Sequence, residues 1–483
     1  MNSKSSLGKN AVYKVVLNLF NLLIPLFVGP YIAGLLDKNL YGIYNRVYAE
    51  FQIFFICGAF GIYNFGVREI SRVRHNEEKL RKIFSSLFVI GVISNVVVTV
   101  IYIIYFVVRG TGIDKYVYAT MIIQMVSNIF YIEFVNEAVE NYSFITKKTI
   151  IVRSIYFAAI FLFVRKPTDV IIYSVVVSMT VLLNNVISFC YLKRNIKFDF
   201  YNIKIKPYIF PLVVSLILVN VELLYSQLDK ILLGAFVNDI AVTEYTLPTT
   251  LVGMIGTIPL SLINVAIPRL SSYVGKEEKE AYIETLHNTT RVYMAILAPM
   301  VFGIFVLAKE IMWLYSGDVY TYVYPVLAIA ALSRIVYGYD SILSNLVMYV
   351  NGLEKELTIF LFGGGVINVI LNGILIISGN FSAKNALITT MLSIILFVIV
   401  GARYSEKRLK IKLKFFSWEI LRYFVVSFLF IPITYAVKAL NYGYWFNILV
   451  SITLCVTVYG IFMLITKDPL VQIIANKIMR KSE

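Results

Sequence analysis

Histidine and cysteine are almost missing from this chain, at two and three of 483 residues. Cys57, Cys190 and Cys455 are odd in number and each lies within an apolar run, so no disulfide framework is implied. His75 and His287 stand in stretches read as loops, without partners at metal-ligand spacing, and are expected to be solvated. No G-x-x-x-x-G-K-[ST] occurs, so no nucleotide is bound by that route. H-E-x-x-H, C-x-x-C and the clustered aspartates of metal-dependent phosphate transfer are missing as well. No catalytic residue, metal site or cofactor is expected, and the chain does not read as an enzyme.

Charge is scarce too, at 15% of residues against 59% hydrophobic, with mean hydropathy +0.78. That balance excludes an ordinary soluble protein and indicates a polytopic membrane protein. The net charge of +16 suggests nucleic acid only until the cations are located. They lie in short segments between apolar spans, where charge sets membrane orientation, so nucleic acid is not an expected partner. Lys4, Lys9 and Lys14 precede a long apolar run. It is too long for a signal peptide and has no small-x-small cleavage site, so it reads as the first membrane helix.

What is present is a series of apolar segments of spanning length: 11–36, 40–65, 84–108, 116–135, 149–164, 170–192, 208–236, 245–268, 289–308, 322–349, 357–377, 385–402, 417–437 and 444–466. The fold class expected is all-α, with about 14 transmembrane helices. An even number puts both termini on one side. The termini and the loops on their side hold 31 of the 44 Lys and Arg residues. The opposite loops hold eight: Lys38, Arg109, Lys115, Arg165, Lys166, Lys309, Lys384 and Lys438. By the positive-inside rule both termini are expected in the cytoplasm. The loops leave no room for a folded catalytic domain.

An internal repeat runs at an offset near 200. Gly34 answers to Gly234, Asn64 to Asn264, Ser71 to Ser271, and Glu77-Glu78-Lys79 to Glu277-Glu278-Lys279. Slipped by one residue, Tyr44 pairs with Tyr245 and Arg68 with Arg269. Six helices separate the copies, so both start on the same side and the repeat is parallel. The expected division is a six-helix bundle over 1–200, a second over 201–410, and a terminal helix pair with a tail over 411–483. Two such halves can rock about a central cavity.

Ionisable groups inside spans cost several kcal/mol or more and should face protein or a water-filled cavity. The stretch LILVNVELLYSQLDKILLG (216–234) places Glu222 and Asp229 on one helix face, seven residues apart, with Lys230 beside them. This is a buried ion pair or a cation reaching the interface, or else a polar surface shown to a cargo. Arg46 and Glu50 are four apart in the second span. They neutralise each other within the helix, or Arg46 holds phosphate oxygens from the outer part of a cavity. Glu133, Glu137 and Glu140 share a face at the end of the fourth span, a solvated helix end. In the tenth, Arg334 and Asp340 are six apart, so each needs a partner from another helix. Gly363-Gly364-Gly365 with Asn368 and Asn372 is better explained by close helix packing than by a phosphate cradle.

Several stretches resemble the Wzx-type, polysaccharide-exporting flippases of the multidrug/oligosaccharidyl-lipid/polysaccharide exporter superfamily. They are GPYIAGLLDKNLYGIYN (29–45) with GAFGIYNFGVREISRVR (58–74), NEAVENYSFITKKTIIVR (136–153), LDKILLGAFVNDIAVTEYT (228–246) with IPRLSS (267–272), and NGLEKELTIFLFGGGVINVILN (351–372). The resemblance covers about 1–410. It implies twelve core helices in two bundles around a V-shaped cavity. It also implies an undecaprenyl-diphosphate-linked oligosaccharide cargo, moved to the outer leaflet of the bacterial cytoplasmic membrane. In the related lipid II flippase family, cations on the first, second and eighth helices line the cavity. Arg46 matches the second-helix position. The first helix has no arginine, Arg269 stands at the inner end of the eighth, and Lys230 and Arg334 are the substitutes.

The expectation is a lipid-linked oligosaccharide flippase for capsule or other surface polysaccharide, with Arg46, Lys230 and Arg334 meeting the diphosphate. Glu50, Glu222, Asp229 and Asp340 are the ion-coupling or cavity candidates, with H+ or Na+ as the ion. A polysaccharide polymerase and other assembly proteins are the expected protein partners. The alternatives are an ion-coupled small-molecule antiporter, for which acidic residues should dominate the cavity, and a membrane-embedded polymerase, which usually carries a large outer loop.

Overall fold

The computed structural model describes residues 7–201 and 203–468, with backbone alone at 7–12, at five positions between 14 and 22, at 195 and at 218–225. Among the described residues there are 18 α-helices and no strand. The first nine are α1 (Leu7–Leu35), α2 (Lys38–Ala59), α3 (Ile62–Val73), α4 (Glu77–Arg109), α5 (Asp114–Asn128), α6 (Glu133–Ala138), α7 (Tyr142–Phe163), α8 (Val170–Asn195) and α9 (Lys206–Phe236). The others are α10 (Asp239–Gly275), α11 (Lys279–Val306), α12 (Ala308–Ser316), α13 (Tyr324–Ser341), α14 (Glu354–Ile377), α15 (Ala383–Leu409), α16 (Trp418–Phe428), α17 (Phe430–Ala439) and α18 (Tyr444–Ile465). A π-helical stretch, Ile342–Tyr349, extends α13.

Each of the fourteen expected segments contains helix, broken after Ala59 in the second and after Asn128 in the fourth, and ten helical stretches among the described residues are long and apolar enough to cross a membrane. Their outer faces are hydrocarbon. Along α4, Val97, Val100, Ile101, Ile104 and Val108 are exposed at helical spacing, and Phe362, Val366, Val369 and Ile370 repeat this on α14. Water would not tolerate such stripes, whereas lipid tails match them.

Local chemistry sets several ends. The Asp37 carboxylate accepts from Asn39 N and Leu40 N at 2.9 and 3.1 Å, capping α2. Asn76 caps α4 by accepting from Lys79 N. The break between α2 and α3 needs Gly61. Its φ is +69°, and a Cβ there would stand 2.6 Å from both Leu212 O and Leu216 N of α9. The joined stretch Lys38–Val73 has 36 residues and α10, which starts 201 positions later, has 37.

Contacts divide the chain into two compact units, 1–243 and 244–483. This cut differs from the expected division by repeat at residue 200, because α9 packs on α2 and α3 and so joins the first unit. In that unit α2 lies against α4, α5 and α9, α1 against α7, and α5 against α8. A buried polar ladder joins α5 to α8: Thr120 to Ser174 at 2.5 Å, Gln124 to Ser178 at 3.0 Å, and Asn185 to Ser127 O at 3.1 Å. In the second unit α11 packs on α13 and α16, and α14 packs on α15. Asn368 donates to Thr390 at 2.9 Å and Thr389 to Asn372 at 2.5 Å, with Gly364 and Gly365 buried nearby. Helix packing therefore involves Gly364 and Gly365, while Gly363 is exposed with open space at its Cβ.

The fourth expected span is corrected. Its helix stops at Asn128, and the six-residue α6 follows after a non-helical break. Glu133, Glu137 and Glu140 do not share a face of one solvated helix, because Glu140 lies beyond α6 with φ +58°. Glu133 is buried and accepts from Lys148 Nζ at 2.8 Å and from Ser188. Glu137 accepts from Tyr63 at 2.6 Å, and only Glu140 is exposed, paired with Arg74. His287 is likewise no loop residue. It sits half-buried in α11, 2.8 Å from Glu419.

Candidate functional site

Arg46 lies two turns into α2 with its side chain 11% exposed, among three carboxylates. Nε donates to Asp239 Oδ1 and Nη2 to Asp114 Oδ2, each at 2.5 Å. Nη1 is 3.6 Å from Glu50 Oε1, the helix neighbour four residues on. Glu50 is held in turn by the hydroxyls of Tyr105, at 2.9 Å, and Tyr118. The geometry is built from four elements: α2 supplies Arg46 and Glu50, α4 supplies Tyr105, and α5 supplies Tyr118 with Asp114 at its first residue. Asp239 is the first residue of α10.

Two glycines make the seat. A Cβ at Gly42 would meet Asp239 O at 2.4 Å, and one at Gly234 would meet Arg46 Cδ at 2.4 Å. Asn45 donates to Thr243 Oγ1 at 2.9 Å and keeps the first turn of α10 on α2. The Arg46–Glu50 pair expected from spacing is therefore present, but as part of a larger cluster. Asp114 and Asp239 were not legible, because they lie 68 and 193 residues from Arg46.

The other expected residues are not drawn into this cluster. Asp229 is fully buried in α9. Lys230 is half-buried and in no ion pair among the described residues. The side chain of Glu222 lies outside the described residues.

In the second unit, Arg334 of α13 is half-buried, with its guanidinium 4.9 Å over the Tyr337 ring. Its Nε is buried and makes no hydrogen bond, and no described carboxylate pairs with it. Gly253 and Gly256 of α10 lie alongside, where an added Cβ would be 3.7 and 3.5 Å from the guanidinium nitrogens. Asp340 is buried and accepts from Ser344 Oγ at 2.8 Å.

Two other buried carboxylates in the second unit have cationic partners. Asp468 accepts from Tyr423 at 2.5 Å, from Arg291 at 3.2 Å and from Arg422. Glu310 pairs with Lys438 at 2.9 Å. An apolar cavity of about 690 Å³ opens between α11 and α18, lined by Pro299, Met300, Leu307, Ile452, Val456 and Met463 among others. No group of three or more metal-ligating side chains occurs among the described residues.

A family model described as a polysaccharide biosynthesis protein matches residues 7–274. Among curated proteins nothing matches. Solved structures match over nearly the whole chain. The lipid II flippase MurJ, in an inward closed conformation, is 16% identical with TM-score 0.72, covering 95% of this chain and 100% of its own. An inward-facing multidrug resistance MATE family transporter of the MOP superfamily is 12% identical with TM-score 0.64, covering 84% and 99%. An outward-facing structure of such a transporter is 14% identical with TM-score 0.56, covering 82% and 95%. This chain shares their fold.

Proposed function

The chain belongs to the polysaccharide biosynthesis protein family, and from that premise we propose that it is a flippase for lipid-linked oligosaccharide. It carries undecaprenyl-diphosphate-linked repeat units from the inner to the outer leaflet by alternating access, for capsule or other surface polysaccharide. The observation that carries this reading is Arg334: a guanidinium within a membrane-spanning helix, with a buried Nε lacking a hydrogen bond. An always-charged fork in that setting calls for an anion, and phosphate oxygens fit its donors. In the first unit, Arg46 and Lys230 are the cations assigned to phosphate oxygens of the cargo. Tyr337 supplies a face on which a sugar ring can stack. The apolar cavity on α11 and α18 suits the hydrocarbon part of such a cargo.

The test uses Arg46→Ala, Lys230→Ala and Arg334→Ala, each produced at parental level in the membrane. Each is expected to stop polymer export and to make lipid-linked oligosaccharide build up in the cell. Normal export from all three removes the proposal. One observation favours the alternative, an antiporter of small cations: the surplus of carboxylate around Arg46. Extrusion of a cationic dye by the parent, lost in Glu50→Gln, with no build-up of lipid-linked sugar in depleted cells, would establish that reading instead.

A further inference from the structure

One carboxylate would neutralise Arg46, yet three surround it. The surplus is two negative charges in a largely buried place, a costly arrangement if stability alone were served. The three are not equivalent. Glu50 is on the same helix as Arg46, is 4% exposed and is fixed by two tyrosines, so it accompanies the guanidinium wherever α2 goes. Asp114 and Asp239 are 16% and 27% exposed, and each is the first residue of another helix. They occupy Nε and Nη2, the guanidinium edge that a phosphate takes with two of its own oxygens. Together they bring two negative charges, the number carried by a diphosphate esterified at both ends.

We propose that Asp114 and Asp239 are built-in competitors of the cargo diphosphate for Arg46. When the two aspartates close on the Nε and Nη2 edge, they displace a bound diphosphate in a charge-matched exchange and so release the cargo. When they withdraw, the edge is open to the next one. Glu50 keeps the guanidinium oriented throughout. Gly42 and Gly234 permit the closed form, since any side chain at either position would intrude on Asp239 or on the Arg46 stem. The inference rests on the reading that Arg46 meets the diphosphate, and it assigns to that site two residues which govern release.

The test measures binding of an undecaprenyl-diphosphate-linked monosaccharide, whose diphosphate is esterified at both ends, to the full chain in lipid nanodiscs, with undecaprenol as the phosphate-free control. The double variant Asp114→Asn/Asp239→Asn keeps the shape of both side chains and removes their charge. It is expected to bind the diphosphate about tenfold more tightly than the parent, since charge-assisted hydrogen bonds no longer compete. Its dissociation should be slower and its export in cells weaker despite the tighter binding. Undecaprenol binding should not change. Arg46→Gln should lose the diphosphate preference.

If the double variant binds no more tightly while Arg46→Gln still loses binding, the competitor role is wrong and Arg46 keeps its assignment. If Arg46→Gln binds like the parent, the assignment of Arg46 to the diphosphate fails, and the competitor role with it. A purely structural role for the aspartates predicts a lower unfolding temperature and no tightening, which also overturns the proposal. Should the double variant not insert, Asp239→Asn and Asp114→Asn are each expected to give part of the tightening. Asp239→Glu should then restore parental release, and its failure to differ from Asp239→Asn counts against the idea.

Discussion

Gly42 and Gly234 are the positions where one methyl group discriminates most. At Gly42 the obstacle is backbone, Asp239 O at 2.4 Å, which cannot swing aside. Gly42→Ala is therefore expected to cost about 1–3 kcal/mol, as overpacking usually does. At Gly234 the obstacle is the flexible Cδ of Arg46, so Ala there should cost less stability but shift the guanidinium. Gly363→Ala is the control, with nothing within 4 Å of its Cβ, and should stay within about 0.5 kcal/mol of the parent. Thermal unfolding in detergent reads all three, and a Gly42→Ala variant as stable as Gly363→Ala would contradict the fitted seat. At this scale the sequence showed Arg46 and Glu50 as neighbours, because a four-residue step is a local rule. It could not show Asp114 or Asp239, because long-range pairs leave no trace in local spacing. Glu133 misled for the same reason: its partners Lys148 and Ser188 come from α7 and α8.

At the scale of the element, apolarity told where a segment crosses and not where its hydrogen-bond ladder gives way. The break after Asn128 and the π-helical stretch 342–349 both lie inside runs that look uniformly helical. The early end of α6 at Ala138 is a third such break, and it is why the facing argument failed for Glu140. The element still to be tried by experiment is α9, whose sequence carries Glu222 seven residues before Asp229. A carboxylate in a low-dielectric site can exchange a proton or sodium ion between states, and we propose that Glu222 couples the cycle while Asp229 positions Lys230. In sealed vesicles, Glu222→Gln should abolish the response of cargo movement to an imposed pH or sodium gradient. A variant that still responds like the parent removes Glu222 from the coupling step. A parent indifferent to both gradients leaves consumption of cargo by an outer-face polymerase as the drive.

For the molecule as a whole, composition alone carried most of the fold, since hydrocarbon solvent admits few architectures besides helices. Matched turn and charge residues suggested a repeat at an offset near 200, but not that stretches of 36 and 37 residues, Lys38–Val73 and Asp239–Gly275, would start at that spacing. The packing of α9 on α2 and α3 was not legible, because apolar faces look alike in sequence whichever neighbour they choose. From the distribution of Lys and Arg we propose that both termini lie in the cytoplasm. Reporter fusions after Glu483 and within 403–414 are both expected to read cytoplasmic, and an external signal from either would end the two-termini-inside arrangement.

The position of Asp239 also has a consequence in time. A chain is made from its first residue onward, and Arg46 precedes Asp114 by 68 residues and Asp239 by 193. At about 5–20 residues per second, the nascent guanidinium waits on the order of 10–40 s for its last carboxylate. During that interval Glu50 is its nearest companion in sequence, which gives the local pair a use quite apart from transport. The first unit closes only when the ribosome has passed the start of α10. The family match runs to residue 274, one short of the end of that same helix.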